Sequence, residues 1–184
     1  MELFSIFPGT RAYHTVYKLY LLSFPKEERK PFFRLWLLSR LHPEVTLRGY
    51  GEDGHIFGFS LTVCSEHYHY IAYMAVAPDR QGTGWGGEIL NLLRREHPQP
   101  LLVEVESPDQ ACTNLSQRQR RQAFYLRNGF VPLEHGITGN GVKYRLLSTD
   151  TQYDRSAYLA IFQYLSFGIR KKLGSFQKNK WSLE

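Results

Sequence analysis

Cysteine is nearly absent from this chain, and so is any long uninterrupted hydrophobic run. The 184 residues include two cysteines, Cys64 and Cys112, which we expect to be reduced thiols, and no spacing typical of a metal site occurs. The longest late apolar stretch, 158–169, is interrupted by polar side chains and is too short to span a bilayer. The N-terminus lacks the basic region and apolar core of a secretory signal. These absences predict a cytoplasmic protein with no metal and no membrane partner.

The composition is that of an ordinary folded domain with a moderate positive charge. At 42% hydrophobic residues the chain can bury one sizeable core, and no linker, repeat or low-complexity tract is visible, so a single domain over 1–184 is predicted. The net charge is +6, but Lys and Arg are scattered, which favours solvated surfaces over a nucleic-acid interface. A nucleic-acid partner for the basic tail, 170–180, is the less favoured alternative.

Hydrophobic periodicity and turn residues predict a mixture of helices and strands. Helices are predicted over 11–24, 27–41, 87–96, 115–128 and 153–173. Strands are predicted over 46–52, 56–64, 68–76, 101–106, 130–134 and 142–147. Asp53-Gly54, between the first two strands, is typical of a hairpin. For the last helix we expect core or dimer packing, with membrane contact as the alternative.

Segment 76–90 passes from an apolar strand into a glycine-rich turn and then into a helix with apolar periodicity. The first N–H groups of a helix have no partner inside the helix, and the helix dipole places partial positive charge there. An anionic oxygen therefore binds favourably at this end. Gly82, Gly84, Gly86 and Gly87 leave the main chain open to such a ligand. The junction predicts a phosphate site.

Two familiar phosphate-binding loops fit this turn poorly. A nucleoside-triphosphate loop needs Lys followed by Ser or Thr after the last glycine, where this chain has Glu88 and Ile89. A dinucleotide fold needs an acidic residue about 20 residues beyond the turn. Glu104 and Glu106 lie near that distance, but the chain before the turn lacks the expected start of such a fold.

The turn instead resembles the pyrophosphate loop of the GNAT superfamily of N-acetyltransferases. That loop has Gln or Arg, two residues, Gly, one residue, then Gly or Ala, and Gln-Gly-Thr-Gly-Trp-Gly at 81–86 fits every position. Ala-Phe-Tyr-Leu-Arg-Asn-Gly-Phe at 123–130 is similar to the family's late helix. The resemblance covers about 46–147. It implies an α+β fold with a central mixed, mostly antiparallel sheet flanked by helices, a core of about 11–147, and an extra C-terminal helix over about 153–173.

The resemblance also implies how acetyl-CoA is held. The strand at 74–76 would hydrogen-bond the pantetheine arm and polarise the thioester carbonyl, and the glycine loop would bind the pyrophosphate. The implied cofactor-binding residues are Met74, Ala75, Val76, Gln81, Gly82, Thr83, Gly84, Trp85, Gly86, Gly87 and Tyr125. Tyr125 would also protonate the departing thiolate. Arg118 stands where the family has Asn, and an Arg there could instead contact a phosphate.

The general base has more than one candidate. Strand alternation places Glu104 and Glu106 on one side of 101–106, and the family's corresponding strand borders the substrate cleft. A carboxylate desolvated in a cleft can accept the proton of an ammonium group, so Glu104 is the first candidate and Glu106 the second. His67 and His69 share a strand side and are the alternative, since histidine titrates near neutral pH.

Together these features predict an acyltransferase that passes an acetyl group from acetyl-CoA directly to a primary amine. The acceptor is expected to be a small molecule, no covalent enzyme intermediate is expected, and a homodimer is one option for assembly. The alternative function is a non-catalytic acyl-CoA-binding sensor or scaffold with the same fold. Such a protein would bind the cofactor without acceptor-dependent release of thiol.

Overall fold

The computed structural model describes residues 1–26, 28–110, 114–139, 141–165 and 181–183. In this part of the chain the helices are α1 (Arg11–Ser23), α2 (Phe32–Leu41), α3 (Trp85–Glu96), α4 (Leu115–Arg127) and α5 (Arg155–Leu165). The strands are β1 (Glu2–Ser5), β2 (Val45–Glu52), β3 (His55–Cys64), β4 (His69–Val76), β5 (Leu101–Glu106), β6 (Val131–Gly139), β7 (Val142–Ser148) and β8 (Trp181–Leu183). A short 3₁₀ helix, Pro78–Arg80, connects β4 to α3.

All the strands belong to one sheet, in the order β1-β2-β3-β4-β5-β7-β6-β8. Neighbouring strands are antiparallel except β4 and β5, which are parallel. A parallel pair needs a crossover, and α3 supplies it. The mixed, mostly antiparallel sheet with flanking helices that the resemblance implied is confirmed.

Local sequence signals account for several of these boundaries. The Thr10 hydroxyl accepts a hydrogen bond from the Tyr13 N–H at 3.2 Å, which caps the start of α1. Asp53 and Gly54 both have positive φ, 50° and 74°, as the tight turn of a two-residue hairpin requires. The hairpin predicted between β2 and β3 is therefore confirmed.

Other boundaries differ from the prediction. Helix α2 begins at Phe32 rather than at 27, because Pro31 disfavours helical backbone at the residue before it. Strands β1 and β8 were not predicted, and β6 extends to Gly139. Helix α5 covers 155–165 of the predicted 153–173, and 166–173 lies outside the described residues, as do Cys112 and the basic tail. None of the described helices is long and apolar enough to cross a bilayer.

The sheet has a hydrophobic core on each face. Helices α1, α2 and α5 cover one face, which we call the acceptor face, with Val16 and Leu38 fully buried there. Helices α3 and α4 cover the other, which we call the loop face, with Leu90 fully buried. Along β5, Leu102 joins the first core and Val103 the second. Alternation therefore places Glu104 on the acceptor face.

Candidate active site

Strands β4 and β5 are neighbours at one end and separate at the other. Their parallel pairing runs only from His69 opposite Leu101 to Ile71 opposite Val103. Beyond that point β4 pairs only with β3, and β5 only with β7. In the described part of the chain no strand pairs with this edge of 72–76, so its main-chain groups are available to another partner. We call this opening, between 72–76 and 104–106, the β4–β5 gap.

A bulge accompanies the start of the gap. Thr62 lies opposite Ile71 and Leu61 opposite Tyr73, so Ala72 is an extra residue in β4. Such an insertion bends a strand and increases its twist. The bend occurs where β4 leaves β5, and it gives a local reason for the separation of the two strands.

The glycine loop follows the free edge of β4 after the short 3₁₀ helix. Gly82 and Gly84 have φ of 79° and 95°, which side chains rarely adopt, and a Cβ on either would meet no atom within 4 Å. Gly84 is the N-cap of α3 and no side chain caps this helix. Its first N–H groups therefore have no side-chain acceptor among the described residues, as an anion site requires. The Gln81 side chain donates to the Val76 carbonyl at 3.0 Å and ties the loop to β4.

Gly86 and Gly87 serve a different purpose from the one the sequence suggested. A Cβ on Gly86 would lie 2.9 Å from the Phe124 ring, and one on Gly87 would lie 3.0 Å from the Asn128 side-chain oxygen. Both glycines therefore let α3 approach α4 closely. Only Gly82 and Gly84 open the main chain to a ligand by their missing side chains, while the N–H groups of Gly86 and Gly87 belong to the uncapped turn.

Tyr125 projects from α4 into the core of the loop face. Its ring packs at 5.1 Å against both Phe124 and Phe130, and the residue is 5% exposed. Burial raises the pKa of Tyr125 to about 12. No described residue hydrogen-bonds its hydroxyl. Tyr125 is also among the groups that raise the pKa of Tyr70, after burial and the charge of Glu104.

Glu104 is partly exposed at the gap and is held by two tyrosines. The hydroxyls of Tyr70 and Tyr158 both donate to Glu104 Oε1, at 2.7 and 2.8 Å. No described residue hydrogen-bonds Oε2. Burial raises the pKa of Glu104, although the two hydrogen bonds and the charge of Lys30 act in the opposite direction. A carboxylate of this kind holds a proton more readily than an exposed one.

Glu106 is held differently. Its Oε1 lies 2.9 Å from Arg118 Nη2, and its Oε2 lies 3.8 Å from Arg121 Nη1. Arg118 is only 7% exposed and also donates to the Ser107 carbonyl at 3.1 Å and the Asn114 side chain at 3.0 Å. With its guanidinium bound within the protein, Arg118 is not the phosphate ligand that the sequence left open. Glu106 is the weaker base candidate because both its oxygens face a guanidinium.

The two histidines do not share a site with these groups. His67 is exposed in the turn between β3 and β4. His69 is 1% exposed at the paired end of β4, opposite Leu101, and its ring packs edge-on against His97 at 4.7 Å. Burial, with the neighbouring charge of His97, lowers the pKa of His69 to about 4. Neither histidine is placed to act at the β4–β5 gap.

Sequence reasoning missed Tyr70 and Tyr158. Strand alternation could have indicated Tyr70, because it precedes the gap on the acceptor face of β4. Nothing local could have indicated Tyr158, which lies 54 residues beyond Glu104 on a different element. No group of three or more His, Cys, Asp or Glu arranged for a metal occurs in the ranges described.

Comparisons with known proteins agree with this geometry. Residues 46–132 match the family model of the acetyltransferase (GNAT) domain. The Bacillus subtilis protein YjbC is 29% identical over 107 residues, which are 58% of this chain and 52% of YjbC, so the match spans about half of that relative.

Solved structures show the same fold at low identity. A GNAT-family protein from Bacteroides thetaiotaomicron superposes with a TM-score of 0.71 at 21% identity, over 90% of this chain and 96% of that one. A GNAT-family acetyltransferase from Elizabethkingia anophelis, solved with acetyl-CoA bound, superposes with a TM-score of 0.57 at 18% identity, over 81% and 97%. The separated strands, the glycine loop and the family model agree, so this chain is similar to the GNAT acetyltransferases over residues 46–132 and has their fold.

Proposed function

We propose that this protein transfers the acetyl group of acetyl-CoA directly to a primary amine of a small acceptor. One observation carries the proposal: the free edge of β4, at 72–76, is followed, after the short 3₁₀ helix, by the uncapped N-terminus of α3. The pantetheine arm of acetyl-CoA is an extended chain with amide groups, and it is joined to a pyrophosphate. Such a ligand matches both the strand edge and the helix N-terminus. The edge offers strand-like hydrogen bonds, and the helix end offers N–H groups with partial positive charge.

The residues present fit such a ligand. Met74, Ala75 and Val76 lie on the free edge, and the space above Gly82 and Gly84 is open. Thr83 and Trp85 lie beside these glycines, so their main-chain N–H groups belong to the same loop. Acetyl-CoA would supply the acetyl group and, as the leaving group, the thiolate. Main-chain amides of β4 near Met74 would stabilise negative charge on the carbonyl oxygen.

Glu104 and Tyr125 are suited to the two proton transfers. Glu104 Oε2 accepts the proton of the attacking amine, while the amine nitrogen forms a bond to the carbonyl carbon. The carbon–sulfur bond then breaks, and the Tyr125 hydroxyl donates its proton to the sulfur. The sheet separates the two residues, with Glu104 on the acceptor face and Tyr125 on the loop face. The two residues would therefore approach a thioester bound in the β4–β5 gap from opposite faces of the sheet.

The acceptor would approach from the face where Glu104 lies. Tyr73 and Tyr144 are partly buried there, and Glu104 contributes to the raised pKa of each. Aromatic walls of this kind suit a compact amine, because rings supply contact area and attract a cation through their faces. Cys64 lies at the opposite end of β3, opposite His69, so it is not placed to form an acyl-enzyme.

Two linked assays test the proposal. Acetyl-CoA and free CoA are titrated in a thermal-shift experiment, and thiol release is then followed against a panel of small primary amines. We expect both ligands to stabilise the protein and an amine-dependent thiol signal to appear. Stabilisation without that signal would favour the sensor, and no stabilisation by either ligand would refute the cofactor site.

The Glu104→Gln variant tests the base. Glutamine keeps an oxygen for the two tyrosine donors but cannot accept the amine proton, so kcat/KM should fall by about 100-fold or more. The Kd for acetyl-CoA should stay unchanged, because Glu104 is not among the proposed cofactor contacts. Glu66→Gln, at an exposed position in the turn before β4, is the matched control. Full activity in Glu104→Gln would exclude this carboxylate as the base.

A further inference from the structure

The two carboxylate oxygens of Glu104 have unequal surroundings. Oε1 receives both tyrosine hydroxyls, from Tyr70 at 2.7 Å and Tyr158 at 2.8 Å. In the described ranges Oε2 has no hydrogen-bond donor. Two donors on one oxygen restrict the rotation of the carboxylate and leave the second oxygen free to accept a proton.

The second donor comes from helix α5, outside the region that matches the family model. The start of this helix is firmly anchored. Asp154 Oδ1 accepts from the N–H groups of Ser156 and Ala157, at 2.8 and 3.1 Å, and the Asp154 N–H donates to the Tyr68 hydroxyl at 2.8 Å. Tyr158 follows one turn later and is 2% exposed. Its ring packs edge-on against Phe162 at 5.3 Å, so its hydroxyl has little freedom to move away.

Both hydroxyls act as permanent donors. Burial, followed by the nearby charge of Glu104, raises the pKa of Tyr70 and of Tyr158 above the ordinary tyrosine value. They therefore stay protonated wherever the enzyme works. A hydrogen bond to a carboxylate favours its ionised form, and this offsets part of the rise that burial causes in the pKa of Glu104.

Other groups near Glu104 also set its charge. Lys30, between α1 and α2, favours the ionised carboxylate. The titratable and charged side chains near Glu104 are Lys30 from that segment, Tyr70 and Tyr73 from β4, Tyr144 from β7, Tyr153 before α5, and Tyr158 from α5. Only Tyr70 and Tyr158 of the described residues hydrogen-bond the carboxylate.

We propose that Tyr158 is a positioning residue, which makes helix α5 part of the active site by holding Glu104 with Oε2 directed at the acceptor amine. The inference rests on the proposed function in that it takes Glu104 as the base. It goes further in giving a catalytic purpose to a helix beyond the matched domain. Tyr158 itself does not contact the reacting atoms.

The test compares Tyr158→Phe with Tyr164→Phe. Both remove one hydroxyl from the same helix, but Tyr164 packs near His42 rather than near Glu104. The pKa of Glu104 is measured directly from its carboxyl ¹³C resonance, identified by its loss in Glu104→Gln. Losing one hydrogen bond to a charged group should raise that pKa by about one unit in Tyr158→Phe. It should not change in Tyr164→Phe.

Kinetics give the second readout. With one acceptor used throughout, the acid limb of kcat/KM should move up by about one pH unit in Tyr158→Phe, and the Kd for acetyl-CoA should be unchanged. An unchanged Glu104 pKa in Tyr158→Phe would overturn the inference. An unchanged acid limb of kcat/KM in Tyr158→Phe would also overturn it if Glu104→Gln is inactive, because Glu104 would then be required without being positioned by Tyr158. The pKa of Glu104 is measured without an acceptor amine. If no amine in the panel were acetylated, that result would refute the proposed function and leave the test of Tyr158 intact. Reduced stability would not imitate the shift of the carboxyl resonance, because that resonance is read from the folded protein alone.

Discussion

His69 should make this protein sensitive to acid. The residue is 1% exposed, its Nδ1 has no hydrogen-bond partner in the described part of the chain, and its ring contacts His97. Burial, with the charge of His97 adding to it, lowers the pKa from 6.5 to about 4. The folded protein therefore keeps this imidazole neutral at pH values where the unfolded chain protonates it.

The size of the effect follows from the shift. At about 1.4 kcal/mol per pH unit, the difference amounts to about 3 kcal/mol of the free energy of unfolding. Because the unfolded chain binds the proton more readily, stability is full above the unfolded pKa of 6.5 and is lost as the pH falls towards 4. Below the folded pKa the loss levels off, since both states are then protonated.

Urea denaturation of His69→Leu and wild type at about pH 7.5 and about pH 4.5 measures this contribution. The wild type should lose about 2.5 kcal/mol more than the variant between the two conditions, because leucine cannot titrate. His67→Leu, which changes an exposed histidine in the adjoining turn, should lose as much as the wild type. Equal losses in His69→Leu and wild type would refute the reasoning, whatever the stability of the variant at neutral pH.

Two further substitutions test the packing around the site. In Gly86→Ala the new methyl group meets the Phe124 ring, so the free energy of unfolding should fall by about 1–3 kcal/mol. Adding Phe124→Leu to this variant should recover part of the loss, because the smaller side chain leaves room for the methyl group. If the double variant recovers none of it, the contact is not the cause. Arg118→Met should cost about 3 kcal/mol in urea denaturation, because Glu106 keeps its charge with its nearest partner gone. Adding Glu106→Leu should restore most of that loss, and a purely additive double variant would show that the ion pair is not the cause.

Much of the fold followed from signals close together in the sequence. Apolar periodicity, the Asp53-Gly54 turn and strand alternation each act within a few residues, which is why α1, the β2–β3 hairpin and most strands were predicted. The glycine loop is also local, and the structure places it between the 3₁₀ helix that follows β4 and the start of α3. The short edge strand β1 carries no strong pattern of its own, because its pairing with β2 decides its structure. The single-domain organisation, the homodimer and the small acceptor stay predictions.

The sequence by itself determined the resemblance to the GNAT acetyltransferases, the glycine loop and a pair of glutamates on one side of β5. Only the tertiary structure distinguished those glutamates, since alternation makes Glu104 and Glu106 equivalent. Arg118, 12 residues from Glu106 in the sequence, donates a hydrogen bond to the Glu106 carboxylate. Tyr158, 54 residues from Glu104, donates to one oxygen of Glu104, and the other oxygen has no donor among the described residues. Partners so distant are brought together by the packing of α4 and α5 on the sheet. The reactivity of a carboxylate depends on such neighbours, so only the folded chain distinguishes the two candidates for the base.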